Sequence, residues 1–381
     1  MIRALAKQGV AAAFHRSGAA RLLEALGGRS GAPLVLCYHR VVEDVRRHPW
    51  CAPAMMVSLA TLERQLDWIG RRYDFVDLDT AARLEEGAPR RGRPVAAVTF
   101  DDGYEDVARL AIPLLKRKGI PAALFVVTER VGVEGLLRHD ELYWLMERWL
   151  ATRGGAALAR ELELAGVRRS LTRGLDQHGP ALIAVKERLL RRLPRRELRR
   201  LIETLSVFGP PPREVLDDLK TVDWPELVAL RREGTLIGSH TRSHCILPQE
   251  SDTSRFAELS ESRRMLESRL GVPALHLSYP DGRFSPATLA DAAAAGYRYA
   301  YTTCSHRSTA FPLLTVPRRT LWEGSTAGAH GGFSPSVGAW VLGGLGERFG
   351  GGCSSEHADD ARAAVGADAW GASARIASEA P

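Results

Sequence analysis

With 381 residues, 45% of them hydrophobic and 25% charged, the chain has a globular composition and enough length for one large domain or two ordinary ones. Its net charge of +7 is modest and unclustered, and lysine occurs only at Lys7, Lys116, Lys118, Lys186 and Lys220, so the basic residues are nearly all arginine. That balance supports at most weak attraction to anionic partners, no aromatic-basic pattern asks for nucleic acid, and none is expected. Cys37, Cys51, Cys245, Cys304 and Cys353 are scattered and odd in number, which argues against both a disulfide framework and a cysteine metal knot.

In chain order, residues 1–32 read as an amphipathic helix, because basic residues interrupt every apolar run. Neither a signal peptide nor an apolar span of about 20 residues is expected. The expected location is therefore cytoplasmic or peripheral to a membrane, with membrane-surface contact by the first helix left open. From Pro33 to Arg319, short apolar runs alternate with helical periods. "LVLCYH", "VAAVTF", "AALFVV", "LIGSH", "ALHLSY" and "YAYTT" read as strands. Helix starts are expected at Ser58, at Asp223 with Pro225, near Ser254 and at Ser285 with Pro286; stops are expected at Gly119, Gly234, Gly271 and Gly296. Repeated strand, helix, strand implies parallel strands with crossover helices, hence a doubly wound sheet or a (β/α) barrel. The Arg/Leu/Glu-rich stretch 139–219 breaks that rhythm without a credible strand and reads as a helical insertion, a lid or wall beside a site. Residues 323–381 are rich in Gly, Ala and Ser and read as a low-complexity, disordered tail.

"VTFDDGYED" sets Asp101 beside Asp102 at the end of a buried strand. The plain reading is a turn, since Asp-Gly is a common turn dipeptide. Adjacent ionised carboxylates repel, however, and their placement calls for a cation or a shared proton. "GSHTRSH" offers the cation's other ligands. On one helical turn His240 and His244 share a face and can reach a single ion, although an HxxxH pair alone is a weak signal. In a parallel (β/α) fold the strand ends open onto one rim, so Asp102, His240 and His244 can form a two-histidine, one-carboxylate metal site. "YHRV" leaves His39 at the same rim, and "SYPDG" ends another strand there. The set supplies a metal, a spare carboxylate and a spare imidazole, which metal-assisted hydrolysis requires.

"TFDDG", "HTRSH" and "YPDG" resemble successive motifs of the polysaccharide deacetylases of carbohydrate esterase family 4, over roughly Pro33 to Trp322. The leading "LCYHRV" is similar to the permuted branch acting on biofilm exopolysaccharides, in which the catalytic histidine precedes TFDDG. The resemblance implies an irregular, partly open (β/α) barrel over 33–322. It also implies one divalent ion on Asp102, His240 and His244, with zinc first and Co, Ni, Fe or Mn as alternatives. Asp101 matches the base, His39 the acid and the Asp281 N–H the oxyanion donor; Tyr279, Pro280 and Arg318 are candidate substrate contacts. The implied partner is an N-acetylated polysaccharide or glycolipid-linked glycan. Two departures stand out. Asp281 occupies a position often held by tyrosine, and Ser278 one often held by the arginine that tethers the base, with Arg318 a candidate replacement. No downstream LxH motif is present.

These matches predict a hydrolase that removes acetyl groups from N-acetylated sugars. Because of the departures, a degenerate glycan-binding member is the alternative. An iron oxygenase with similar ligands ranks below both, since such sites place the carboxylate beside the first histidine on an all-β scaffold.

Overall fold

Residues 32–343 are described in the computed structural model, apart from 90, 91, 174, 176–179 and 329. The first helix expected over 1–32 and the tail beyond 343 lie outside the described residues. The strands are β1 (Leu34–Tyr38), β2 (Arg40–Val42), β3 (Met56–Ser58), β4 (Asp74–Phe75), β5 (Val95–Phe100), β6 (Ala122–Val126), β7 (Leu236–Ser239), β8 (His276–Ser278), β9 (Tyr299–Thr302) and β10 (Val316–Thr320). Around them run α1 (Leu59–Gly70), α2 (Leu78–Glu85) and α3 (Ile112–Arg117). Next come α4 (Arg138–Leu164), α5 (Pro180–Arg192), α6 (Arg195–Leu205) and α7 (Arg213–Asp218). The chain continues with α8 (Trp224–Arg232), α9 (Asp252–Leu270), α10 (Pro286–Ala294) and α11 (Pro335–Leu342). None of these helices is long and apolar enough to cross a membrane.

The architecture is a (β/α) barrel. Strands pair in the order β1, β10, β9, β8, β7, β6, β5, all parallel, and β1 also pairs with β5, which closes a ring of seven; β4 is appended to β5. The seam between β7 and β8 is the thinnest, with Ser239 opposite Leu277 as its one registered pair. Every residue of β5 is buried, as expected for parallel strands covered on both faces. Successive residues serve different cores, following the period of two. Val35, Ala97, Ala123, Phe125, Tyr301 and Val316 cluster with Leu78, Ala81 and Ala82 of α2, whereas Leu36, Val98 and Leu124 join the larger cluster.

Capping fixes where the helices begin: at the expected Ser58, Asp223 and Ser285, at Ser251 instead of near Ser254, and at Ser334, where no helix was expected. The side chains of Ser58, Asp223, Ser251, Ser285 and Ser334 each accept from the backbone N–H three residues on. Gly271 closes α9 in the left-handed conformation. The insertion is helical throughout its described elements. It has its own buried leucines (Leu158, Leu162, Leu182, Leu189, Leu201 and Leu205), and Trp149 Nε1 donates to the Leu205 carbonyl at 3.0 Å.

One boundary is corrected. Residues 323–343, expected to begin a disordered tail, continue the fold. The Glu323 carboxylate accepts from Ser58 N at 2.7 Å and Thr61 Oγ1 at 2.8 Å, Gln65 donates to Thr326, and Val337 of α11 is fully buried. A Gly- and Ser-rich composition hid a segment held by specific polar contacts.

Candidate active site

Parallel strands deliver their C-terminal ends to one rim, and the motif residues follow those ends directly: His39 after β1, Asp101 and Asp102 after β5, His240 after β7, and Tyr279 to Asp281 after β8. Among the described residues, the non-glycine residues with positive φ are Asp102 (74°), Thr241 (64°), His244 (58°) and Asp281 (54°), and all four belong to these motifs. Left-handed backbone is costly for such residues and persists where surrounding structure over-determines it, typically at functional sites. Thr241 and His244 also correct one expectation: a turn, with two left-handed residues, brings His240 and His244 together, and no helical face is involved.

Asp101 is clamped. Arg318, from β10, donates to it through both arms, at 2.8 Å to Oδ1 and 2.6 Å to Oδ2. The Ser278 hydroxyl donates to Oδ2 at 3.0 Å and accepts from Arg318 at 2.7 Å, while Arg318 also reaches Thr99 Oγ1 at 3.1 Å. Burial alone pushes the Asp101 pKa up, but the Arg318 charge, helped by His240, overrides it and holds the carboxylate well below its usual range. Arg318 thus fills the position of the missing tether. It is itself 1% exposed and does not line the pocket, so its expected role as a substrate contact is not what its position offers. Pro280 is also absent from the pocket wall; Tyr279 lines it, although its ring is buried in the core beside Phe284.

Asp102 is the opposite case. Both its oxygens are buried and neither has a hydrogen-bond partner. Burial first, and then the neighbouring Asp101 charge, push its pKa well above the usual range. A buried carboxylate left so is expensive unless a cation joins it. His244 Nε2 stands 3.3 Å and His240 Nε2 3.5 Å from Asp102 Oδ1. Ligands on one tetrahedral ion with bonds near 2.1 Å are about 3.4 Å apart. His240 Nδ1 lies 2.8 Å from the Ser278 carbonyl, so that nitrogen carries the proton and Nε2 is left as the lone-pair donor. Burial drives the pKa of both histidines down, which keeps them neutral. The donor set therefore fits a divalent cation.

A second cluster, Cys37, His39 and Asp101, also gathers ligand atoms within 4.8 Å of one another. It does not suit a cation, because Arg318 and Ser278 already occupy the Asp101 oxygens. Its value is the proximity of His39 to Asp101. His39 is half-buried and lines the pocket, and burial pulls its pKa down to about 4 against the raising effect of Asp101. The Asp281 side chain turns to the insertion, where Arg191 of α5 donates to it at 2.6 and 3.1 Å. Its charge is thus paired, and the residue lines the pocket. Gly282 follows with φ 65°, and a Cβ there would collide with the backbone N of Thr303.

His139, at the start of α4, did not emerge from the motifs. Its ring is 4% exposed, and its ligand nitrogen gathers with those of Asp102 and His244 within 4.8 Å. Tyr104 and Asp140 accompany it: the Tyr104 hydroxyl is 2.9 Å from His139 Nε2 and donates to Asp140 Oδ2 at 2.6 Å. The one available signal was "RHDELYW", an imidazole and a carboxylate at the mouth of the insertion. The insertion supplies much of the pocket wall, including Lys186, Leu190, Arg191 and Leu198.

The family model for polysaccharide deacetylase matches residues 88–168 and 202–300, and the gap between those stretches falls within the insertion. Two solved structures are similar in fold. One is the Streptococcus pyogenes deacetylase PplD in complex with acetate, 18% identical, covering 81% of this chain and 97% of that one with TM-score 0.50. The other is IcaB from Ammonifex degensii, 17% identical, covering 82% of this chain and 97% of that one with TM-score 0.50. No curated protein matches the chain.

Proposed function

The chain belongs to the polysaccharide deacetylases, and from that premise we propose that it hydrolyses the acetamide of N-acetylated sugars with a divalent ion, zinc foremost, held by Asp102, His240 and His244. The observation that carries this reading is the contrast between two adjacent buried carboxylates: Asp101 has its cation in Arg318, and Asp102 has three imidazoles around it and no partner. Once bound, the ion supplies Lewis-acid polarisation of the carbonyl and a lowered pKa for water.

The chain's own residues do the rest. Asp101, held ionised and oriented by the Arg318 fork and Ser278, accepts the proton of the attacking water. The Asp281 N–H, at a turn fixed by Arg191, donates to the carbonyl oxygen as negative charge develops there. His39, a neighbour of Asp101, takes up the proton that Asp101 collects from the water and passes it to the nitrogen as the C–N bond breaks, releasing acetate and a free amine.

The test compares Asp101→Asn with wild type for acetate release from N-acetylated glycans at equal metal content. A fall of about 10² to 10⁴ is expected for loss of a general base, and an unchanged rate overturns the assignment. The glycan-binding alternative rested on Ser278 and Asp281. Both residues now have constructive contacts, so that reading keeps support only if glycan binds stoichiometrically without any acetate release.

A further inference from the structure

We propose that His139, delivered by the first turn of the helical insertion, is an additional protein ligand of the metal ion. The inference rests on the metal reading above and adds to it a residue from outside the barrel motifs. Asp102 presents its two oxygens to different histidines: Oδ1 to His240 and His244 at 3.5 and 3.3 Å, and Oδ2 to His139 Nε2 at 3.8 Å. The His139 ring stands 4.6 Å from that of His244, centroid to centroid, and lines the same pocket. Three imidazoles thus surround one carboxylate that has no hydrogen bond of its own.

The surroundings of His139 suit a ligand better than a structural histidine. A core histidine uses both nitrogens, yet His139 Nδ1 is buried with no partner. Its Nε2 meets the Tyr104 hydroxyl at 2.9 Å, and that hydroxyl already donates to Asp140 at 2.6 Å. Because Tyr104 donates to Asp140, Nε2 here donates to the Tyr104 oxygen; binding an ion through Nε2 moves that proton to the unpartnered Nδ1, gives up one contact and leaves Tyr104 paired with Asp140. Four protein ligands fill a tetrahedral ion, so with His139 engaged the ion keeps places for water and substrate only by exceeding four-coordination. Metal affinity then depends on the docked insertion as well as on the barrel.

The test uses the full chain, stripped with a chelator and titrated with Co(II). Affinity is read by competition with a chelating dye, and the ligand field by visible absorption. His139→Ala and His139→Gln are compared with wild type, with His240→Ala and Asp102→Asn as positive controls. Both His139 variants are expected to bind Co(II) about tenfold or more weakly, with an altered absorption spectrum. The Gln variant, which can still hydrogen-bond to Tyr104, decides the matter if the Ala variant fails to melt cooperatively. Wild-type affinity and spectrum in the His139 variants, alongside loss in His240→Ala and Asp102→Asn, overturn this inference alone. If those controls also bind as wild type does, or wild type binds no Co(II), the metal reading fails and this proposal fails with it.

Discussion

Asp101 and Asp102 are covalent neighbours with opposite surroundings, and the difference lies in which cation each can reach. Arg318 saturates Asp101 with a two-armed contact that Ser278 braces, whereas Asp102 turns both oxygens toward imidazoles. A lysine at 318 presents a point charge and cannot reproduce the fork. Arg318→Lys is therefore expected to keep metal content unchanged, by metal analysis, while lowering acetate release about a hundredfold through misplacement of the base. Equal activity in that variant would show that the clamp does not set the geometry of Asp101. At this scale the sequence was informative: Asp101, Asp102, His240, His244 and His39 stand in motifs, and even the departure at Ser278 pointed to Arg318. His139 was not legible, because nothing in its local pattern says which residues its ring will meet.

Between elements, Arg40 ties β2 to the rest of the rim. It is 1% exposed, donates to Asp106 at 2.8 Å, and reaches Asp218, at the end of α7, through Oδ1 at 3.0 Å and the carbonyl at 2.7 Å. Burial pushes the Asp218 pKa up, but Arg40, Trp50 and His48 outweigh it and leave the carboxylate below its usual range. A depressed carboxylate pKa contributes stability that is present above the unfolded value, near 4, and lost as pH falls through the folded one. The stability difference between wild type and Asp218→Asn, from denaturant melts, should accordingly be fully present at neutral pH and shrink below about pH 4. A difference that grows on acidification would contradict this. Helix caps and strand runs were legible here because they are local. The turn that joins His240 to His244 was misread as helical, since HxxxH spacing fits either conformation and the left-handed backbone at Thr241 and His244 is imposed by the rim.

For the molecule as a whole, metal and fold should be linked. An ion that neutralises Asp102 binds only the folded rim, so it stabilises by mass action, by about 2.7 kcal/mol at a free concentration 100 times Kd. Thermal melts with and without Zn(II) should show this rise in wild type and not in Asp102→Asn; equal rises in both would place the ion elsewhere. By itself the sequence determined the parallel α/β rhythm, the rim motifs and the helical character of 139–219, because periodicity, capping and turn chemistry are written over a few residues. Only the tertiary structure decided that β1 pairs with β5 to close the ring, that Arg318 is buried beneath Asp101, that residues 323–343 pack back on the barrel, and that the insertion brings His139 to Asp102. Those contacts join residues far apart in the chain, and their energies depend on burial and partner geometry that no local pattern encodes.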